Sequence, residues 1–166
     1  MCIPMDSLPA GSGRSTLIGQ GGSAKASTPH LASIRRTYRL SKIPVISIID
    51  DDESVRAATD RLVRSLGFVA LTFSCADDFL RSPRLHDTSC VITDVQMPGM
   101  SGVELQSVLV ASGKNIPIIF ITSFPDERIR TRAMEAGAVG FLSKPFKGAT
   151  LIQYIDDALK SQSDRS

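Results

Sequence analysis

Val45-Ile46-Ser47-Ile48-Ile49-Asp50-Asp51-Asp52 joins a short apolar run to three consecutive carboxylates. An apolar run of this length, rich in β-branched side chains, predicts a buried strand. Adjacent carboxylates repel one another unless a cation or hydrogen-bond donors stabilise them. Open α/β sheets bind ligands beyond the carboxyl ends of their strands. The segment therefore predicts a strand that ends at a functional site.

From residue 43 onward, apolar runs alternate with segments of helical periodicity. Strands are predicted at 45–49, 69–73, 90–93, 117–121 and 139–143, and helices near 53–66, 75–81, 102–112, 126–136 and 148–160. The apolar spacing of the first helix predicts that one face packs on the sheet, formed by Val55, Ala58, Leu62 and Leu66. Strands that alternate with helices predict an α/β fold whose parallel sheet is covered on both faces.

Polar side chains follow four of these strands where each one ends: Asp50 and Asp51, then Asp94, Thr122 and Lys144. The carboxyl ends of parallel strands lie at one edge of a sheet, so these side chains are expected to converge. Clustered carboxylates ionise together only when a cation enters, and their oxygens suit Mg²⁺ with a phosphate partner. Asp94 could then act as the nucleophile and form an acyl phosphate. Lys144 would pair with the phosphate, and the Thr122 hydroxyl would donate to it.

Each of these residues also has an ordinary structural explanation. Acids at 51–53 are favoured at a helix N-terminus, and Asp94 would suit a turn before Pro98. Thr122 is typical of a strand, and Lys144 of a solvated loop. The functional interpretation is preferred because four separate strand ends carry the residue types that one reaction needs.

The composition is that of an ordinary globular protein. The chain has 166 residues, 42% of them hydrophobic, and no apolar run approaches membrane-spanning length. The N-terminus lacks the apolar core of a secretory signal, so we predict a cytoplasmic location without membrane association. Cys2, Cys75 and Cys90 are widely spaced, which indicates neither a disulfide framework nor a zinc site.

Residues 1–42 differ from the rest in composition and charge. They are rich in Gly, Ser, Thr, Ala and Pro, and six bases against one acid give them a charge of +5, which leaves −3 for the remainder. We predict a disordered basic extension over 1–42, a domain over 43–162 and a tail over 163–166. The glycine-rich segments match no phosphate-binding loop. An organelle transit peptide and a misassigned translation start stay open as alternatives.

Residues 43–160 resemble the receiver domain of two-component response regulators, the phosphoacceptor modules of bacterial signalling. The resemblance rests on four motifs in order: Val45–Arg56, Thr93-Asp94-Val-Gln-Met-Pro-Gly-Met-Ser-Gly102, Ile121-Thr122-Ser123 and Phe141-Leu-Ser-Lys144-Pro-Phe146. It implies a doubly wound, flavodoxin-like (βα)5 fold with a five-stranded parallel sheet in the order 2-1-3-4-5. The stretch 138–146 is similar to receivers that are often linked to LuxR-type output domains.

The resemblance also implies roles for the residues of the site. Asp50 and Asp51 would be the metal-binding acid pair and Asp94 the phosphorylated aspartate. The main-chain carbonyl of Gln96 would complete the protein's share of the Mg²⁺ shell. Asp52, just past the acid pair, is interpreted as helix N-terminal charge.

In the same family, Thr122 corresponds to the switch hydroxyl, Lys144 to the phosphate-binding lysine and Phe141 to the aromatic rotamer switch. Phosphorylation would draw Thr122 inward and let Phe141 occupy the vacated space. Gln96 and Phe124 occupy positions that tune dephosphorylation, and a bulky Phe124 near the phosphoryl group would hinder an attacking water.

The implied partners are a sensor histidine kinase or a histidine phosphotransfer protein, and a downstream protein that binds the face formed by the fourth helix, fifth strand and fifth helix. That face would include Arg128, Arg130, Arg132, Lys147 and Tyr154. Beyond self-phosphorylation and autodephosphorylation, no enzyme activity is expected, and no direct DNA binding.

Four other interpretations compete with this one, and the residues of the site argue against the receiver-like adaptor and the phosphatase. The chain ends soon after the last predicted helix, which indicates a stand-alone receiver, and the alternative is a truncated two-component transcription factor. A receiver-like adaptor that is never phosphorylated is a second. A haloacid-dehalogenase-type phosphatase would need an acid at Gln96, and a nucleic-acid adaptor would have to use the basic extension.

Overall fold

The computed structural model describes residues 42–164 and places a five-stranded parallel sheet among them. The strands are β1 (Val45–Ile49), β2 (Val69–Phe73), β3 (Thr88–Asp94), β4 (Ile118–Thr122) and β5 (Gly140–Ser143). Their order across the sheet is β2-β1-β3-β4-β5, and all neighbouring pairs are parallel. The predicted fold class and strand order are therefore confirmed. Apart from Lys42, the predicted N-terminal extension lies outside the described residues, as do residues 165–166 of the predicted tail.

In the same part of the chain, five α-helices connect and cover the strands: α1 (Glu53–Ser65), α2 (Ala76–Arg81), α3 (Gly102–Ala111), α4 (Glu127–Glu135) and α5 (Gly148–Ser163). Two apolar clusters lie on opposite faces of the sheet because successive strand residues point to opposite sides. One cluster contains Val63 of α1 and Leu151 of α5. The other contains Phe79 of α2, Leu105 of α3 and Ala133 of α4. Both faces of the sheet are thus covered, as the alternating pattern predicts.

The element boundaries differ from the prediction around β3 and at the end of α5. A short 3-10 helix, Pro83–Asp87, precedes β3, and the Ser82 side chain accepts from the N–H of Arg84 at its start. β3 begins at Thr88 instead of residue 90, because Thr88 pairs with Val45 of β1; the Thr88 hydroxyl also bonds to the buried hydroxyl of Ser47 at 2.8 Å. Helix α5 continues to Ser163, three residues beyond the predicted end.

The inward face of α1 also differs from the prediction. Thr59 and Val63 are the buried residues of this helix, whereas Ala58 is exposed. Thr59 can be buried because its hydroxyl donates to the carbonyl of Val55 at 2.9 Å. Leu62 and Leu66 pack against the core cluster as predicted, and Val55, Ala58 and Leu62 line an outer groove, completed by Pro145 and Phe146 and called the α1 groove below.

Three helices begin with side-chain caps that fix their first turns. Asp52 caps α1 and Asp126 caps α4, and Ser101 caps α3 in a capping box with Glu104. These helices begin beyond the carboxyl ends of β1, β4 and β3. The caps therefore fix the chain at the sheet edge where the polar side chains were predicted to meet.

Within residues 42–164, no helix is long and apolar enough to cross a lipid bilayer.

Candidate phosphoacceptor site

Lys144 connects two buried carboxylates at the carboxyl edge of the sheet. Its Nζ donates to Oδ2 of Asp50 and to Oδ2 of Asp94, each at 2.8 Å. Asp50 is 3% exposed and Asp94 7% exposed. The main-chain N–H of Lys144 also donates to the carbonyl of Thr122 at 2.7 Å. The structure thus brings together residues from four separate strand ends, as predicted: Asp50, Asp94, Thr122 and Lys144.

Burial and charge act in opposite directions on this cluster. Burial raises the pKa of the Asp50 carboxyl above its usual 3.8, although hydrogen bonds from Lys144 and from the N–H of Asp52 lower it in part. Burial acts to lower the pKa of Lys144, but its bonds to Asp50 and Asp94 raise it above 10.5 overall. A charged lysine is therefore shared by two carboxylates.

The three consecutive aspartates have three different environments. Asp50 is buried, whereas Asp51 is exposed and its carboxylate makes no hydrogen bond within residues 42–164. Asp52 is the cap of α1, and its Oδ1 accepts from the N–H groups of Ser54 (2.9 Å) and Val55 (3.2 Å). The interpretation of Asp52 as helix N-terminal charge agrees with this geometry.

Asp50, Asp51 and Asp94 could hold a metal ion together. One carboxylate oxygen from each lies within 4.8 Å of the others. Three carboxylates against the single ammonium of Lys144 leave the cluster negative, and hard oxygen donors of this kind suit Mg²⁺. The N–H of the exposed Gln96 donates to Oδ1 of Asp94 at 3.0 Å, so its peptide lies beside the cluster. The donor set therefore fits the predicted ion.

Thr122 lies next to Lys144 at the end of β4, and Phe141 lies on the neighbouring strand β5. Thr122 is 1% exposed, and its Oγ1 accepts from the N–H of Phe124 at 3.1 Å. Phe141 is half-buried, with its ring centroid 6.0 Å from that of Phe120. The Phe124 side chain is 70% exposed, so it is not buried against α4.

The face predicted for a downstream partner is only partly open. Arg128, Arg132 and Lys147 are exposed. Arg130 forms an ion pair with Glu127 at 3.1 Å. Tyr154 is half-buried, and a Cβ at Gly140 would lie within 2.6 Å of its ring.

Sequence reasoning missed two residues that shape the site. Arg56 Nη1 donates to the main-chain carbonyl of Asp50 at 2.6 Å. Gly102, the first residue of α3, lies so close to the end of β3 that a Cβ there would collide with the carbonyl oxygen of Asp94. Both act on main-chain atoms, which side-chain patterns do not reveal.

The family described as response regulator receiver domain matches residues 46–156 of this chain. The match covers more than half of the chain, and the strand order and acidic site agree with it. The chain therefore belongs to the response regulator receiver domain family. Members of this family are signalling domains, and receiver domains bind Mg²⁺ at an acidic pocket and interact with kinases and downstream partners.

Similar proteins support the same assignment. Response regulator protein TodT of Pseudomonas putida (strain F1) is 44% identical over 116 residues, 70% of this chain and 51% of TodT. Transcriptional regulatory protein FixJ of Azorhizobium caulinodans is 35% identical over 72% of this chain and 57% of FixJ. The structure of response regulator StyR has a TM-score of 0.70 at 44% identity, and the match covers 75% of this chain and 63% of StyR. The chain thus spans about half the length of the curated relatives it matches.

Proposed function

We propose that this protein accepts a phosphoryl group on Asp94 and that phosphorylation switches its binding to a downstream protein. The observation that carries the proposal is the pair of 2.8 Å contacts by which Lys144 holds Asp50 and Asp94 together, with Asp51 completing the acidic cluster. The donor would be a histidine kinase or a histidine phosphotransfer protein, acting in the cytoplasm.

In the proposed reaction, a carboxylate oxygen of Asp94 attacks the phosphorus of a phosphohistidine. The new P–O bond replaces the P–N bond, and the imidazole leaves with its electron pair. Mg²⁺ held by Asp50, Asp51, Asp94 and the Gln96 carbonyl would supply positive charge for the phosphoryl oxygens. Lys144 would pair with one of these oxygens and Thr122 would donate to another. Hydrolysis of the acyl phosphate by water restores the carboxylate and ends the signal.

The switch is proposed to act through Thr122 and Phe141. The Thr122 hydroxyl accepts from the Phe124 N–H and has its own hydrogen to donate. A bond from this hydroxyl to the phosphoryl group would draw Thr122 toward Asp94 and favour a more buried Phe141. The coupling free energy between two such sites is typically about 1–3 kcal/mol. The face of α4, β5 and α5 would change as a result, and with it the binding of the downstream protein.

The α1 groove supports a protein as phosphodonor. It has a volume of about 610 Å³, its lining is mainly apolar, and Lys144 is one of its lining residues. A donor helix in this groove would bring a phosphohistidine next to Asp94. The exposed Ala58 gives a test, because Ala58→Glu should reduce phosphorylation by a protein donor and leave phosphorylation by acetyl phosphate unchanged.

The decisive experiment is intact-mass analysis after incubation with acetyl phosphate, with and without Mg²⁺. The sequence contains no Trp, so mass is a cleaner readout than intrinsic tryptophan fluorescence. We expect one Mg²⁺-dependent phosphoryl adduct on the wild type and on Asp157→Asn, and none on Asp94→Asn. Asp157 is an exposed carboxylate of α5 that pairs with Gln153, which makes it a matched control. An equal adduct on Asp94→Asn would refute the proposal.

The relatives leave a second function open. FixJ is named a transcriptional regulatory protein, and this chain spans 57% of it. This protein could therefore correspond to the receiver part of a DNA-binding regulator, and the absence of direct DNA binding stays a prediction. Electrophoretic mobility shifts with the phosphorylated and unphosphorylated chain would test it.

A further inference from the structure

Arg56, in the first half of α1, contacts the main chain between the two metal-binding aspartates. We infer that Arg56 is a positioning residue that fixes the Asp50 and Asp51 carboxylates relative to each other for Mg²⁺ binding. This inference rests on the proposed function, since it concerns the metal site which that function requires.

The contact acts on the peptide unit that joins the two acids. Arg56 Nη1 donates to the carbonyl oxygen of Asp50 at 2.6 Å, a short charge-assisted hydrogen bond. That oxygen belongs to the planar peptide between Asp50 and Asp51. Holding the oxygen fixes the orientation of the plane, and with it the directions in which both side chains leave the main chain.

Asp50 is held at its other polar atoms as well. Its N–H donates to the carbonyl of Phe73 at 3.1 Å. Its Oδ1 accepts from the N–H of Asp52, and its Oδ2 accepts from Lys144, each at 2.8 Å. Arg56 fixes the remaining polar atom, so every polar atom of Asp50 has a partner.

Asp51 has no comparable set of contacts. Its exposed carboxylate makes no hydrogen bond in the part of the chain that the structure describes. The position of this carboxylate therefore depends on the main chain on either side of it, and Arg56 holds the peptide that precedes it. Loss of the Arg56 contact should for this reason act on Asp51 more than on Asp50.

The charge of Arg56 alone would have the opposite effect. A cation near the N-terminus of a helix is unfavourable, and a cation beside carboxylates competes with a metal ion. If Arg56 acted only through its charge, removing it would strengthen Mg²⁺ binding. If it acts by holding the peptide, removing it weakens Mg²⁺ binding. The sign of the change separates the two roles.

The test is calorimetric titration of Mg²⁺ into the full chain of the wild type, Arg56→Gln, Arg56→Lys and Arg61→Gln. We expect Arg56→Gln to raise the Kd about tenfold, the lower end of the effect of losing a residue that supports a metal ligand. Arg56→Lys should recover most of the affinity, because an ammonium can donate to the same carbonyl. Arg61 is exposed on the same helix, so Arg61→Gln removes the same charge and should leave the Kd unchanged. The amide resonance of Asp51 should shift in Arg56→Gln without added metal.

Equal or tighter Mg²⁺ binding by a folded Arg56→Gln variant would overturn the inference, as would an equal loss in Arg61→Gln. Thermal unfolding of each variant establishes that it is folded, and Arg56→Met, which likewise lacks the guanidinium donor, decides the question if Arg56→Gln is not. A wild type that gives the acetyl phosphate adduct while Arg56→Gln binds Mg²⁺ normally would refute this inference alone. A wild type that binds no Mg²⁺ would refute the proposed metal site as well.

Discussion

Asp51 is proposed to bind a metal ion, whereas its neighbour Asp52 caps α1. The carboxylate of Asp51 lies in the acidic cluster, and that of Asp52 accepts from two N–H groups at the start of α1. Substitutions at the two positions should therefore change different measured quantities.

Asp52→Ala should lower the free energy of unfolding by about 1 kcal/mol, the usual cost of losing an N-cap. The Mg²⁺ affinity should stay close to that of the wild type, because the bond from residue 52 to Asp50 uses the main-chain N–H. Asp51→Ala should weaken Mg²⁺ binding and change the unfolding free energy by less than about 0.5 kcal/mol. Chemical unfolding and Mg²⁺ titration measure the two quantities. The assignment is wrong if both variants change the same one.

Lys144→Met should make the metal-free protein less stable at neutral pH. The change leaves the buried carboxylates of Asp50 and Asp94 without their shared cation, and breaking a buried ion pair typically costs about 3–5 kcal/mol. Lys147→Met is the matched control, because Lys147 is exposed and should change stability by less than about 0.5 kcal/mol.

The loss of stability in Lys144→Met should depend on pH, in a direction that the raised pKa of Asp50 determines. The folded state binds the Asp50 proton more tightly than the unfolded state, whose pKa is near 3.8, and losing Lys144 raises the folded-state pKa further. Proton binding to Asp50 stabilises the folded state. This stabilisation is fully present below pH 3.8 and is lost as the pH rises through the folded-state pKa. The deficit should therefore shrink as the pH is lowered from neutral toward 3.8. A deficit that grows over this range in urea unfolding would contradict the explanation.

The sequence indicated the side chains of the site because each one follows a predicted strand. Asp94 and Thr122 end their strands, and Lys144 follows β5. Arg56 could not be found in this way, because its partner is a main-chain oxygen six residues earlier. The role of Gly102 depends on the distance between α3 and the end of β3, which no sequence pattern contains.

At the scale of the helix, the first residue of α3 restricts how that helix packs. Gly102→Ala should lower the free energy of unfolding by about 1–3 kcal/mol, as overpacking does, because the new Cβ collides with the Asp94 carbonyl. It should also slow adduct formation with acetyl phosphate, since the displaced residue, Asp94, is the proposed nucleophile. Thermal unfolding and intact mass measure these two effects.

Gly148→Ala is the control for this substitution. Gly148 is likewise the first residue of a helix, but a Cβ there would have Leu62 as its nearest neighbour, at 3.7 Å. We expect it to be neutral or stabilising by less than about 1 kcal/mol. Equal destabilisation by both alanines would show that the Asp94 contact is not the cause.

The existence and order of the elements followed from periodicity, whereas some details of packing did not. For α1, the predicted packing face consisted of Val55, Ala58, Leu62 and Leu66. Leu62 and Leu66 do pack against the core, but the fully buried residues are Thr59 and Val63, and Ala58 is exposed. Periodicity treats threonine as polar and does not register that its hydroxyl can bond within the helix. The 3-10 helix before β3 was missed because Pro83–Asp87 has no apolar repeat long enough to detect.

At the scale of the whole molecule, the family match covers residues 46–156, and residues 1–42 are predicted from their composition to be a disordered extension. A chain that begins at Lys42 should therefore unfold at the same temperature as the full chain and form the same Asp94 adduct. Keeping Lys42 preserves its ion pair with Asp87. Calorimetry and intact mass on both chains measure this. A large loss of stability would show that residues 1–41 contribute to the fold.

The 2.7 Å hydrogen bond from the Lys144 N–H to the Thr122 carbonyl has a consequence for the proposed phosphorylation switch. The two side chains proposed to contact the phosphoryl group are attached to main chains that are bonded to each other. A displacement of either residue is therefore passed directly to the other. In a double-mutant cycle, their contributions to the phosphorylated state should be non-additive. The ammonium and the hydroxyl would then respond as one cooperative unit.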